Sequence, residues 1–292
     1  MFLSWFPLVL FYIATNSSSK IMQKMIIKND QVDFIAFSAI FQFFPGLLTL
    51  PFIFCEPIRF PDRPMVWGAL VASCLGYTFC MVFYYYSMKR IEVSQVETLG
   101  TTRSIWGVVL GVFFFGEVLS ISKVVGVALI VAAIVVVYSR KSKHLSVGLT
   151  KPHFAALLYA LIISSNFALD KFALGYFSVT LYQTLIYIIP AGLTLLVFPV
   201  SAQKVLPSLR VRKNLWLMVF CFVCQAVSTL ALYRAYQVGG ELSVVGPISQ
   251  VTTLVTISFG IIFLQERWNL RRKLVGVFLA FAGILCLRFF VF

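Results

Sequence analysis

Charge is scarce in this chain, and negative charge scarcer still: 12% of its 292 residues are charged, and only ten are acidic. An ordinary soluble domain is about one quarter charged, so a solvated globular surface is excluded over most of the sequence. Histidine occurs twice, at His144 and His153. No HExxH, GxSxG, Walker or dinucleotide fingerprint is present. The sequence therefore offers no catalytic constellation and no cofactor site, and ATP hydrolysis is not its energy source. The six cysteines, Cys55, Cys74, Cys80, Cys221, Cys224 and Cys286, lie within or at the ends of apolar segments and read as packing residues. Cys221 and Cys224 form a CxxC without the second pair that a zinc site needs.

What fills the chain is apolar. Hydrophobic residues make up 60% of it, and the mean hydropathy is +0.94. They arrive in blocks of about 20, the length a helix needs to cross about 30 Å of hydrocarbon. Hydropathy and turn signals predict ten spans near 2–22, 34–54, 65–88, 96–116, 123–139, 153–175, 178–200, 214–236, 244–264 and 271–292. No basic n-region precedes the first block and no small-residue cleavage site follows it before Lys20, so it reads as a first helix. Pro57, Pro61, Pro64 and Pro207 break the loops. The longest polar stretch, SRKSKHLSVGLTKP at 139–152, divides the chain into residues 1–139, a basic linker over 140–152, and residues 153–292.

The net charge of +14 has no nucleic-acid module to go with it. Its Lys and Arg residues stand in short clusters between apolar blocks, which suits anionic lipid headgroups. Lys20, Lys24, Lys28, Lys89, Arg90, Arg140, Lys141, Lys143, Lys151, Lys204, Arg210, Arg212, Lys213, Arg267, Arg271, Arg272 and Lys273 all fall at odd-numbered gaps between spans. One face of the membrane owns them, and the positive-inside rule makes that face cytoplasmic, with both termini outside.

The two halves repeat. Residues 92–137 and 241–287 align so that Glu92 pairs with Glu241, Ser94 with Ser243, Glu117 with Glu266 and Gly126 with Gly276, while Ser17-Ser18-Ser19-Lys20 echoes Ala168-Leu169-Asp170-Lys171. Five spans per half is an odd number, so the second copy enters from the opposite side. The expected fold is all-α integral membrane, ten transmembrane helices as two inverted five-helix repeats, an arrangement common among secondary transporters. The hairpins Phe115-Gly116-Glu117 with 124–137, and Leu264-Gln265-Glu266 with 274–287, resemble those of the drug/metabolite transporter superfamily, specifically its ten-helix EamA-like carriers. The resemblance covers nearly the whole chain at the level of span pattern. It implies a central cavity lined mainly by spans 1, 3, 4, 6, 8 and 9, with 5 and 10 peripheral. Many members keep both termini cytoplasmic, the reverse of what the charges here predict.

Candidate cavity residues are the polar and ionisable side chains that hydrocarbon does not tolerate. The fourth span carries Glu97, Thr98, Thr102, Arg103 and Trp106, and its repeat mate carries Gln250 and Thr253. The first and sixth spans add Asn16, Lys20, Asn166 and Lys171, and the third adds Tyr77. Each has a structural alternative: hydroxyls glue helices, lysines snorkel to headgroups, and Lys171 stands beside Asp170. Glu117 and Glu266, in the hairpin turns, read as structural. The spacings Gly107-x-x-x-Gly111 and Ala128-x-x-x-Ala132 read as close packing between helices.

The expected function is secondary active transport of a small metabolite or drug-like solute by alternating access, with protons as a coupling ion through Glu97. A rival within transport is an exchanger of anionic, nucleotide-linked solutes, favoured by Lys20, Arg103 and Lys171. A non-transporting membrane scaffold is the alternative from another class. The expected location is a bacterial or archaeal cytoplasmic membrane.

Overall fold

The structure is a computed structural model, and it describes residues 4–27, 32–91, 96, 99–100, 102–138, 150–209, 215–255 and 270–289. Among these residues all regular structure is helical. The longer helices are α1 (Trp5–Ile27), α2 (Phe34–Thr49, continued by a 3-10 segment Leu50–Cys55), α3 (Pro64–Arg90), α4 (Arg103–Phe115), α5 (Ile121–Tyr138), α6 (Lys151–Ala173), α7 (Val179–Val197), α8 (Leu215–Gln237), α9 (Leu242–Ser249, resuming after Gln250 to Val255) and α10 (Leu270–Phe289). Two short turns, Pro199–Ala202 and Val205–Leu209, lie between α7 and α8. Five of these elements are long and apolar enough to cross a membrane: Phe34–Cys55, Pro64–Arg90, Lys151–Ala173, Val179–Val197 and Leu215–Gln237. Arg103–Phe115, Ile121–Val136 and Leu242–Val255 are shorter apolar helices.

Local chemistry sets the boundaries. The Asp33 carboxylate caps α2 by accepting from the N–H groups of Ile35 (3.1 Å) and Ala36 (3.0 Å). Pro64 opens α3 at a position where the missing N–H costs nothing. Thr150 and His153 form a capping box at the start of α6. Gly116, at φ 62°, ends α4 in a left-handed cap that only glycine adopts without strain. The fourth and ninth predicted spans are interrupted. At Thr102 and at Gln250 the backbone N–H bonds three residues back, to Leu99 O (3.2 Å) and Pro247 O (3.0 Å), a tighter 3-10 turn inside a helical path.

Contacts between the junctions show that the helices run alternately between two ends. At one end, Lys89 Nζ reaches Val32 O (3.4 Å), Ser87 Oγ donates to Pro152 O (2.8 Å) and Lys204 pairs with Asp33 (3.3 Å). Lys89, Arg90, Lys151 and Lys204 stand at this end, the basic end. At the far end, Glu56 in the α2–α3 loop accepts the N–H of Thr180 (2.7 Å) and pairs with Arg234. Glu117, in the α4–α5 turn, accepts Lys171 Nζ (2.6 Å) and the first N–H groups of α9, Leu242 and Ser243, both at 2.8 Å. Lys123 pairs with Glu241. The far end is thus tied by charged side chains that each join two or three junctions. The Glu117 side chain ties its turn to α6 and α9, while Glu266 lies outside the described residues.

Neighbour relations follow a simple rule. The principal contacts are α1 with α8, α3 with α6, α2 with α7, α4 with α9 and α5 with α10. Exchanging each helix with the one five places along leaves this set unchanged. At the α5–α10 crossing a Cβ added to Gly283 would meet Gly126 O at 2.8 Å and Ile130 Cγ1 at 2.7 Å. The two backbones touch there, as small residues permit. Gly107 and Gly111 likewise face Ser164 and the Glu117 carboxylate.

Two outcomes follow for stability. Gly283→Val should cost about 1–3 kcal/mol through overpacking, read as a lower thermal unfolding midpoint in detergent. Burial alone would raise the Glu117 carboxyl, but hydrogen bonds from Lys171 and Ser243, with the lysine's charge, bring it below the usual 4.5. A carboxyl that titrates lower when folded stabilises the fold above its unfolded value, and that contribution is lost as pH falls through the folded one. Glu117→Gln should therefore remove about 2–3 kcal/mol at neutral pH and flatten the acid side of a melting-temperature profile.

Candidate functional site

A cavity of about 90 Å³ lies between the helices, room for several water molecules at about 10–15 Å³ each. Its wall on α1 is a helical stripe, Tyr12, Asn16, Lys20 and Gln23, spaced by four, four and three residues. The facing stripes are Tyr159, Ile163 and Phe167 on α6, and Gln225, Thr229, Leu232 and Tyr233 on α8. Phe41 and Gln42 of α2, Tyr77, Met81 and Tyr84 of α3, Arg103 of α4, and Ile186 and Tyr187 of α7 complete the lining. Lys20 and Gln23 stand toward the basic end; Tyr233, one turn before the end of α8, lies toward the far end.

Polar groups in the wall and directly behind it are wired together. Tyr85 donates to Gln23 Oε1 (3.0 Å), Gln23 Nε2 to Ser19 Oγ (3.1 Å), and Ser19 to Gln225 Oε1 (3.1 Å). Gln225 Nε2 then donates to Tyr187 (2.9 Å), whose hydroxyl pairs with Thr229 (2.8 Å). Arg103 donates to Tyr159 OH (3.2 Å), and Asn16 to Tyr12 OH (2.5 Å). Beyond Tyr77 and Tyr233 lies Asp170, fully buried, on which both hydroxyls converge. Among the described lining residues two are cationic, Lys20 and Arg103, and none is a carboxylate.

Of the residues expected from sequence, Asn16, Lys20, Tyr77 and Arg103 come together in this wall. Thr102 sits at the helix break, its hydroxyl on Leu99 O (2.8 Å). Trp106 is 41% exposed, on the outer surface of α4. Asn166 is one position off the α6 stripe and packs on the bare backbone of Gly76 in α3. Lys171 continues the stripe toward the far end, where it binds Glu117. Gln250 and Thr253 are buried on α9, outside the lining. There α1 meets α9, with the Ser17 hydroxyl on Thr252 O (3.2 Å). Glu97 and Thr98 lie outside the described residues. Sequence reasoning missed Tyr12, Gln23, Tyr159, Gln225 and Thr229; the signal for them was the four-residue spacing of polar and aromatic groups along otherwise apolar helices.

Known proteins agree with this architecture. A crystallographically solved protein superposes with a TM-score of 0.72, covering 97% of this chain and 96% of that one at 14% identity, a likeness of fold alone. A protein of Archaeoglobus fulgidus described as an uncharacterized transporter is 24% identical over 218 residues, 75% of this chain and 74% of the relative. The model of the EamA-like transporter family matches twice, over residues 3–139 and 150–289. The chain thus belongs to the EamA-like transporter family of the drug/metabolite transporter superfamily, and it is a multi-pass integral membrane protein.

Proposed function

We propose that this protein is a secondary transporter that moves a small, negatively charged solute by alternating access between two inverted five-helix repeats, residues 1–139 and 153–292. The double family match and the helix contacts that survive a five-place exchange support the repeat. On this reading the basic end faces the cytoplasm.

The observation that carries the reading is a difference between repeat mates. Lys20 of α1 lines the cavity, whereas its mate Lys171 of α6 is tied to Glu117 at the far end. Copies of one unit held in two environments are what a carrier needs to present one site alternately to two sides. The tight turns at Thr102 and Gln250, one residue apart in repeat register, would supply bending points at the start of α4 and within α9.

The choice of an anion follows from charge. Lys20 and Arg103 both line a small space between the helices, and two cations in one wall removed from bulk water suit a solute that carries a negative group. Aromatic faces and the amides of Gln23 and Gln225 suit the remainder of a small polar molecule. The test is a thermal-shift screen of the purified protein against matched pairs of carboxylated or phosphorylated solutes and their neutral analogues. Anionic members should stabilise the protein and neutral ones should not. Arg103→Gln should fold and insert, yet bind the best anion at least about tenfold more weakly, a loss of about 1.4 kcal/mol. Equal affinity in the folded variant would remove Arg103 from recognition, and stabilisation by neutral solutes alone would remove the anion.

A further inference from the structure

We propose that Asp170 is a proton-binding site that controls the far end of the bundle, its ionised carboxylate holding that end shut and its protonated form releasing it. The proposal deepens the transport reading above and rests on it, supplying the coupling group that reading leaves open.

The geometry is specific to charge. Asp170 Oδ1 accepts from Ser73 Oγ (2.8 Å) and Tyr182 OH (2.7 Å), and Oδ2 from Tyr77 OH (2.5 Å) and Tyr233 OH (2.9 Å). An ionised carboxylate offers about four acceptor positions, and here every one meets a hydroxyl donor. The donors come from α3, α7 and α8, so one side chain of α6 clamps three other helices beside the far end. Ser73 and Tyr77 belong to the first half of the chain, and Tyr182 and Tyr233 to the second. A protonated Asp170 has a hydrogen of its own to place. One of the four hydroxyls must then accept instead of donate and turn its own hydrogen elsewhere, which dissolves the four-fold clamp.

A route for the proton is present. Tyr77 and Tyr233 both line the cavity, and their hydroxyl oxygens are 3.5 Å apart. A hydronium ion in the cavity gives its extra proton to one phenol oxygen as that phenol passes its own to Oδ2, and water is left behind. The net change is one excess proton moved from hydronium to the carboxylate, giving water and a neutral acid, with both tyrosines left neutral. The other titratable groups around Asp170 are Cys74 and Cys80 on α3, Tyr187 on α7 and Tyr236 on α8. From α4 the ionisable side chain is Arg103, which bonds Tyr159, and α9 carries none between Leu242 and Val255. Neighbouring Lys171 is turned to Glu117. Solvent protons reaching the cavity therefore have one carboxylate to meet among the described groups.

The test needs no solute. Ala173, fully buried one turn past Asp170 toward the far end, becomes a reporter as Ala173→Cys with the exposed native Cys55 changed to Ser. Labelling by a membrane-impermeant methanethiosulfonate is measured across pH in this protein and in its Asp170→Asn derivative, which cannot ionise. The ratio of the two rates at each pH cancels the thiol's own titration. It should rise about tenfold for each pH unit lowered while Asp170 is mostly ionised, then level off near unity. A ratio that does not change with pH overturns the proposal. Should Asp170→Asn fail to fold, the infrared C=O stretch of the buried acid is titrated in the intact chain and in Tyr77→Phe. Loss of one donor to the charged form should move the midpoint to higher pH; an unmoved midpoint, or no titrating band, overturns it. Because neither measurement contains a solute, failure here leaves anion recognition by Arg103 standing, and failure of the Arg103 test leaves this ratio to judge Asp170 alone.

Discussion

A polar side chain inside a membrane helix has no water to fall back on, and the need to satisfy such groups from other helices organises this protein. Lipid is as apolar as leucine, so burying more leucine brings helices together only weakly. The outer surfaces accordingly keep large side chains such as Phe113, Phe114 and Phe278 exposed. What selects partners is shape and hydrogen bonding. Glu117 reaches two other junctions, Glu56 two more, and Asp170 three helices. Each of these carboxylates sits where several chain segments meet, which is also where the loss of any one partner leaves a charge stranded.

Those bonds cross the middle of the sequence. Glu117 of the first half holds Lys171 and the start of α9 in the second; Ser73 and Tyr77 of the first hold Asp170 of the second. Neither half closes the far end with its own residues alone. The cavity shares this property, since α1, α2, α3 and α4 contribute from one side and α6, α7 and α8 from the other. On the transport reading proposed above, a small space walled in this way would change shape whenever the halves shift, which would couple an event at one end to exposure at the other.

The membrane character and the family were legible in the sequence because each is written in long-range pattern: apolar blocks, and hairpin turns such as Phe115-Gly116-Glu117. Individual wall residues were less so. Lys20 and Arg103 announced themselves by the cost of charge in hydrocarbon, but Tyr12, Gln23 and Gln225 looked like isolated polar residues until their four-residue spacing was set against a facing helix. Lys171 had the composition of a cavity residue and the position of a tie, and only the distance to Glu117 separates the two. Asp170 was visible as a buried acid, while its four hydroxyl partners lie 12 to 97 residues away along the chain. A second repeat signal went unread. Pro45-Gly-Leu-Leu-Thr49 and Pro190-Ala-Gly-Leu-Thr194 place a proline mid-helix in α2 and α7, and each threonine hydroxyl bonds its proline's carbonyl.

The glycine crossing of α5 and α10 has a mechanical meaning. Interlocked side chains resist sliding as well as separation, because each must change rotamer before its neighbour can pass. Where Gly126 and Gly283 meet, backbone rests on backbone, and the Leu287 and Ile130 side chains seat over the two glycines. Such a joint is keyed, since a side chain of each helix fills the space that the other's glycine leaves. On the transport reading proposed above, α5 and α10 would form a fixed seam at the periphery, and a change of angle between the halves would fall to the interior contacts of Asp170 and Glu117.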